Sequence, residues 1–290
     1  MWLAGILAAA ITAAVTTVVS DTAKKIVGSE EPTTRASASI AVGATASPQV
    51  STSEAPISIK PVTVERKEAG DYSWVFPDRT DFSKTDVGSI TKKLFSDQAD
   101  ALMPKIGGVI PRGLALKLVV EGRSESPVRI LDMQVEKTCV PVHGTAFVAF
   151  EQGGEGNIGI GFDLDQSKPL AQMYHKDAER EWQGAYFEKN SVSLKKSEQV
   201  VFQVFVMAHK NYCNFRLALV ILHGDKIVRK IIDNNGSWYK ISGLGGDKPE
   251  NFGSFKALDR VYVADVRYGP RFFEVNPRTF KLSDDPRTSK

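Results

Sequence analysis

Cysteine and histidine are scarce in this chain. Its 290 residues include 2 cysteines, Cys139 and Cys213, and 4 histidines, His143, His175, His209 and His223. Two cysteines are too few for a disulfide scaffold or a structural zinc site. No two histidines stand at a helical ligand spacing, and none lies in an HExxH context, so no metal centre is expected. A Gly-x-Ser-x-Gly elbow is absent, which removes the commonest serine-hydrolase signature. An excess of one charge is also missing. The 37 Lys and Arg against 34 Asp and Glu leave a net +3, with signs mixed along most of the chain. Such a balance gives no nucleic-acid groove. What remains is 42% hydrophobic residues over a length that fits one or two domains, enough for a sizeable core.

One long uncharged run is present, Trp2 to Val19, followed by Asp21, Lys24 and Lys25. A bilayer span takes ~20 apolar residues, so the run reads as a membrane anchor over residues 1–25. A signal peptide wants a basic segment before the run, and none precedes it. A buried core helix wants an adjacent fold, and a low-complexity segment follows instead. The chain therefore has the membrane as one partner. The positive-inside rule applied to the two lysines points to the cytoplasm, the stalk-like segment that follows points outside the cell, and the side is left open. Residues 28–58 are rich in Ser, Thr, Ala and Pro and hold no aromatic residue. Such a composition cannot offset its ordering entropy, and residues 26–70 read as a disordered linker that contributes no core.

The folded domain is expected over residues 71–290. Val87, Ile90, Leu94, Ala101 and Leu102 make a helical stripe over residues 86–103, capped by Thr85 and ended by Pro104. From Leu114 the period changes to two. Leu116, Leu118 and Val120 form one row, and Leu131, Met133 and Val135 the next. Ala146 to Phe150 makes a short strand, and Ile158, Ile160, Phe162 and Leu164 another row. Residues 165–183 read as irregular, and Tyr186 to Leu194 as a return to the sheet. The centre is Gln199 to Asp233, three successive strands. Val200, Phe202, Val204 and Val206 share one face, and Phe215, Leu217, Leu219 and Ile221 share another. Val201, Phe205, Val220 and Leu222 are also apolar, so these strands are expected to be buried on more than one side. Val261 to Val266 and Arg271 to Val275 close the domain. Short strands at this spacing predict a mainly β fold, an immunoglobulin-like β-sandwich preceded by a short helix.

Gly154, Gly156 and Gly159 match G-x-G-x-x-G but run into a strand rather than a helix. A dinucleotide site needs the helix N-terminus, so they read as a hairpin turn and no cofactor is expected. Asp163 and Asp165 share a strand face, with no third ligand nearby. Basic residues from Arg267 to Lys290 alternate with Tyr268, Phe272, Phe273 and Phe280, a pattern that also occurs in single-strand binders. Four acidic residues from Asp265 onward dilute the charge, so a solvated final strand is the better reading. Asn235-Gly236-Ser237 is a glycosylation sequon by pattern and a turn by conformation.

The segments VVEGRSESPVRILDMQVE and NYCNFRLALVILHGDKIVRKIIDNNGSWYKISG, with the leading apolar run, resemble a group of uncharacterised actinomycete proteins. Those carry an N-terminal hydrophobic segment or other module, then a β-sandwich-like domain. The resemblance covers residues 114–243. It implies a fold and a tether, and no activity.

Function then reads as a membrane-tethered interaction or sensing module, with a protein partner and no catalytic residues. A hydrolase that brings His143, Asp163 and His223 together is the alternative; a structural envelope protein is a third. Cys213 has the parity of the inward row Phe215 to Ile221, and Cys139 that of Met133 and Val135. Facing strands can then bring the two sulfurs together across the sandwich as a disulfide, and two separate buried thiols are the alternative.

Overall fold

The computed structural model describes residues 55–60, 63–66, 72–94, 96, 98–149, 158–175, 182–246, 255–265 and 271–280. The expected anchor, most of the linker, and Gly154 and Gly156 lie outside these residues. In chain order the first elements are β1 (Ile57–Ile59), β2 (Thr63–Arg66), β3 (Trp74–Phe76), α1 (Lys84–Leu94), α2 (Ala99–Leu102) and β4 (Gly113–Gly122). Next come β5 (Val128–Pro141), β6 (Thr145–Val148), β7 (Ile158–Asp163), β8 (Gln172–His175), β9 (Trp182–Ala185) and α3 (Tyr186–Lys189). The rest are β10 (Val192–Leu194), β11 (Gln199–Met207), β12 (Asn211–His223), β13 (Lys226–Ile232), β14 (Tyr239–Ser242), β15 (Arg260–Asp265) and β16 (Arg271–Val275). The fold is mainly β, in open sheets.

Three sheets form. Seven strands run β1-β4-β11-β7-β8-β9, with β2 beside β1 on the same edge of β4. Five run β10-β5-β12-β13, with β14 beside β13 on the same edge of β12. Four run β16-β15-β6-β3. The first two sheets share one core. Leu116, Leu118, Phe202 and Val204 come to it from the first, and Met133, Phe215, Leu217 and Leu219 from the second. These are the rows that period two marks. Their burial is the main driving term, worth about 1.5–3 kcal/mol per large apolar side chain.

The first sheet also buries part of its other face. Phe205 and Met207 pack with Ala115 and Tyr174, and Trp182 lies against them. The third sheet is covered on both faces. Val75, Val148, Val261 and Val263 fill one side with Phe255. Phe76, Phe82, Phe147 and Tyr262 fill the other, against Ile90 and Leu94 of α1.

Several expectations change. Strands β1 and β2 lie inside residues 26–70, and Ile57 is only 2% exposed in the main core. The ordered part therefore begins before residue 58, because a few β-branched residues suffice to add a strand to the edge of β4. The helix over 86–103 is two helices. Leu94 ends α1, Ala99 starts α2, and Ala101 is exposed rather than in the stripe. The cap is Ser83, not Thr85. The Asp86 amide donates to Ser83 Oγ at 3.1 Å, and the Ser83 amide donates to Asp86 Oδ2 at 3.1 Å, a reciprocal capping box. The Ser83 amide and the Ser83 hydroxyl, both donating to Asp86 Oδ2 and helped by Arg79, hold the Asp86 carboxyl below its usual range.

Two further segments differ. Residues 165–183 contain β8 and part of β9, and Tyr186–Lys189 is a helical turn before β10. In β5 the inward residues are Val128, Ile130 and Met133, while Leu131 is half-buried. Val220 pairs with Asp132 but Ile221 pairs with Ile130, so Leu131 is the extra residue of a bulge. One inserted residue reverses the parity of everything before it.

Candidate functional site

The residues singled out in the sequence do not form one centre. His143 follows Pro141, which pairs with Asn211 at the start of β12. His223 ends β12, thirteen residues along. A strand of that length spans about 40 Å, so His143 and His223 cannot meet. Asp163 pairs with Met207, near the His143 end. The hydrolase constellation is therefore not assembled. His223 Nε2 lies 2.7 Å from Ser124 Oγ. That oxygen also accepts the Ser126 amide at 3.2 Å, which makes it a turn cap.

The paired aspartates staple backbone. Asp163 Oδ1 accepts the Asp165 amide at 2.9 Å. Asp165 accepts the His209 amide at 2.7 Å, the Lys210 amide at 3.1 Å and Asn211 Nδ2 at 2.7 Å. Asp163 is thus committed to its own turn after β7 and Asp165 to the β11–β12 hairpin. Among the described residues, no three His, Cys, Asp or Glu side chains are grouped to hold a metal.

Gly159 sits inside β7, where a Cβ would lie 2.3 Å from the Gln203 carbonyl oxygen. Its smallness allows the close approach of β7 and β11. Asn235 and Gly236 take φ of 53° and 83°, the two positive values of a tight hairpin turn. In the tail, Phe272 packs 5.2 Å from the Phe147 ring and Phe280 stacks 6.1 Å from Phe255. These rings face protein and are not a stacking platform for bases.

Cys139 and Cys213 are joined, with sulfurs 2.07 Å apart. They are direct neighbours on β5 and β12, within one sheet. The expected bridge across facing strands is instead a rung between adjacent ones, because strand pairing already aligns the two residues.

The feature that sequence reading missed is a groove along the open seam between the two main sheets. It has two chambers that share Asn234 and Tyr239. The larger holds about 520 Å³, the smaller about 270 Å³. Strands β1 and β2 supply one wall, through Ile59, Lys60, Val64 and Arg66. Strands β13 and β14 with their connecting turn supply the other, through Lys230, Ile232, Trp238 and Lys240. Among the described residues no strand pairs with the outer edge of β2, whereas β14 is bridged at Ser242, whose amide donates to the Ile110 carbonyl at 3.2 Å and whose carbonyl accepts the Arg112 amide at 2.7 Å. No histidine lines either chamber.

The large chamber is built on aromatic rings. Arg66 lies with its guanidinium 4.5 Å from the centre of the Trp74 ring. It donates to the Ser73 carbonyl at 2.9 Å and to Asp100 Oδ1 at 3.2 Å. These contacts tie β2 to β3 and α2 and hold the floor flat. Trp74 is buried, and its indole N–H has no hydrogen-bond partner among the described residues. Such an orphan costs about 1–3 kcal/mol, the cost of desolvating a donor without replacing its water. Burial, then the nearby Asp78 carboxylate, pushes the Tyr212 phenol above its usual range.

At the rim, the turn between β13 and β14 is fixed by the Gly236 amide donating to Asp233 Oδ1 at 2.9 Å. The Tyr239 hydroxyl donates to the Asp233 carbonyl at 2.8 Å. Burial, then Asp233, raises that phenol to about 12. The turn presents Trp238, 37% exposed, with the Arg216 guanidinium 4.8 Å from its ring centre.

The small chamber is cationic. Lys60 pairs with Glu121 at 3.4 Å. Burial opposes ionisation of Glu121, yet hydrogen bonds from Gln199 and Lys60 and the charge of Arg123 hold it below its usual range. Lys230 is half-buried and opposite Leu219, so its side chain is on the inward face of β13. It has no carboxylate partner among the described residues.

No known protein family, curated protein or solved structure matches the chain. The groove's geometry is therefore the basis for a functional reading.

Proposed function

We propose that the chain is a membrane-tethered interaction module whose seam groove takes up a segment of a partner protein. The observation that carries this is the open edge of β2 beside an aromatic groove that β13 and β14 close on the other side. Edge strands are normally blunted or covered, and exposed apolar surface beside an edge marks an interaction site. Val64 and Trp238 are exposed at the groove, and Ile106 stands beside it.

An immunoglobulin-like layout belongs to the same reading. Two sheets over one core support it, whereas the disulfide within one sheet departs from the inter-sheet bridge of that fold. The tether rests on the apolar run Trp2 to Val19. No helix among the described residues is long and apolar enough to cross a membrane. A Cys139–Cys213 bond persists in an oxidising compartment, and it supports a domain outside the cytoplasm against the two lysines.

The test is site-specific photo-crosslinking of the full chain in its native membrane. A photoreactive phenylalanine analogue replaces Trp238 in one variant and Val201, more exposed and on the outer face of β11, in another. A discrete covalent adduct at position 238 alone supports the reading. Identical adducts at both positions, or none at 238, would end it.

A further inference from the structure

We propose that the outer face of the second sheet, at its β12–β13 hairpin end, docks on an anionic bilayer surface. This face is separate from the seam groove, and the inference rests on the tether reading.

The hydrophobic pattern asks for a cover that this face lacks. Val220 and Leu222 are apolar, yet the core lies on the other side of β12, with Leu217, Leu219 and Ile221. Leu222 stands between Arg129 of β5 and Ile227 of β13 in one row of cross-strand neighbours. Val220 stands in the next row of the same face, between Asp132 and Arg229. Ile231, opposite Ala218, continues the patch along β13. Ile227 is 58% exposed, and Val220, Leu222 and Ile231 are half-buried. None of these four belongs to a hydrophobic cluster of the domain. A contiguous apolar patch left in water marks a docking surface.

Charge narrows the occupant. Arg129 and Lys226 are exposed beside Leu222 and Ile227, and Lys195 is exposed in the turn before β11. None of the three has a carboxylate partner among the described residues. The acids of this end are mostly engaged. Glu121 pairs with Lys60 and Arg123, each at 3.4 Å, and Glu125 pairs with Lys196. Glu198 accepts the Lys195 amide at 2.9 Å, and Asp132 accepts the Met133 amide at 2.8 Å. Asp225, in the hairpin turn, is left against three cations. A second copy seated here by twofold symmetry would set Arg129 and Lys226 against like charges. An anionic surface carries the opposite sign.

The place where the chain joins the domain favours a bilayer over an acidic protein. The Pro56 carbonyl accepts the Arg123 amide at 2.9 Å, and Ile57 is opposite Gly122. The Ser124 hydroxyl lies 2.7 Å from His223 Nε2. The start of β1, the β4–β5 turn and the β12–β13 hairpin therefore share one end. Residues 20–54 separate that end from the apolar run Trp2 to Val19. A flexible chain of that length spans about 30 Å. The patch is thus held near a membrane at high effective concentration, where weak contacts suffice. Aliphatic side chains enter the headgroup region, and Arg and Lys bury their stems while their charged ends meet phosphates.

Photo-crosslinking to lipid tests this. A photoreactive phenylalanine analogue replaces Ile227 in one variant and Val201, 54% exposed on the outer face of the first sheet, in another. Each full chain is reconstituted in phosphatidylcholine vesicles with or without phosphatidylglycerol, irradiated, and its adducts identified by mass spectrometry. With phosphatidylglycerol present, lipid adducts at 227 should exceed those at 201 at least fivefold. Omitting phosphatidylglycerol, adding molar salt, or combining Arg129→Glu with Lys226→Glu should each lower the yield at 227 at least threefold. The salt arm uses the unaltered charges, so it stands if the double variant misfolds. Equal yields at 227 and 201 overturn the proposal, as does a yield at 227 that salt or loss of the anionic lipid leaves unchanged. An adduct at 227 to a second copy, or to another protein in native membranes, in place of lipid also overturns it. A chain that does not float with the vesicles refutes the tether and the docking together. If the chain floats without a lipid adduct at 227 while the Trp238 crosslink captures a partner, the docking alone fails and the interaction reading stands.

Discussion

Leu217 and Val201 show how position decides what an apolar side chain is worth. Leu217 is fully buried between the two main sheets, while Val201, on the adjoining sheet's outer face, is 54% exposed. Leu217→Ala should cost about 2–5 kcal/mol, lost transfer energy plus a cavity. Val201→Ala should stay within about 0.5 kcal/mol. Urea denaturation of both variants checks this, and equal small losses would mean the strand register is wrong. Glu136 gives a pH test. A hydrogen bond from Arg216 at 2.7 Å, then the charges of Arg216 and Arg229, hold its carboxyl below the usual range. Its folded pKa is depressed, so its contribution is present above the unfolded value and lost as pH falls through the folded one. It is largely solvated, so the effect is small. The urea midpoint of the native chain should fall more between pH 5 and 3 than that of Glu136→Gln. Parallel falls would show that the ion pair is not linked to stability. These rows were legible because the core is a period-two code. Leu131 was misplaced because a bulge leaves no trace in hydropathy.

Among elements, β1 changes the domain boundary. Ile57, Ser58 and Ile59 pair with Gly122, Glu121 and Val120 of β4, and Ile57 reaches the core. A chain beginning at residue 55 should be as stable as a longer one. A chain beginning at residue 60 should lose about 2–5 kcal/mol, the range for removing one buried isoleucine side chain. Equal thermal midpoints for the two would restore the linker reading of these residues. The linker composition hid β1 because three residues are too few to show a period. The helical stripe over residues 86–103 was real in its first half, where Val87, Ile90 and Leu94 face the third sheet. It broke at Ser96, whose amide donates to the Lys93 carbonyl at 3.0 Å and ends the helical pattern. The third sheet itself was missed. Its aromatic contacts join Phe76, Phe82, Phe147 and Phe272, residues nearly 200 positions apart, and no local window shows them.

For the whole molecule, the cysteines bear on where the domain resides. Their bond closes a separation of 74 residues, which by chain entropy contributes about 4 kcal/mol. Peptide mass mapping of native membranes, alkylated without reduction, should recover Cys139 and Cys213 linked. Both alkylated after unfolding would place the domain in a reducing compartment. The parity that brought the two sulfurs inward was legible in the sequence; their adjacency was not, because it depends on which strands pair. The groove was invisible for the same reason. Its walls bring Ile59, Val64, Trp74 and Gly107 opposite Lys230 and Lys240, and only the sheet order sets them face to face. Amide hydrogen exchange on the full chain, read in its native membrane and again after purification away from partners, tests that seam most directly. The account predicts slower exchange in Thr63–Arg66 in the membrane and no difference in Arg271–Val275, the edge of the third sheet. Slowing confined to Arg271–Val275, or no change in Thr63–Arg66, would contradict it.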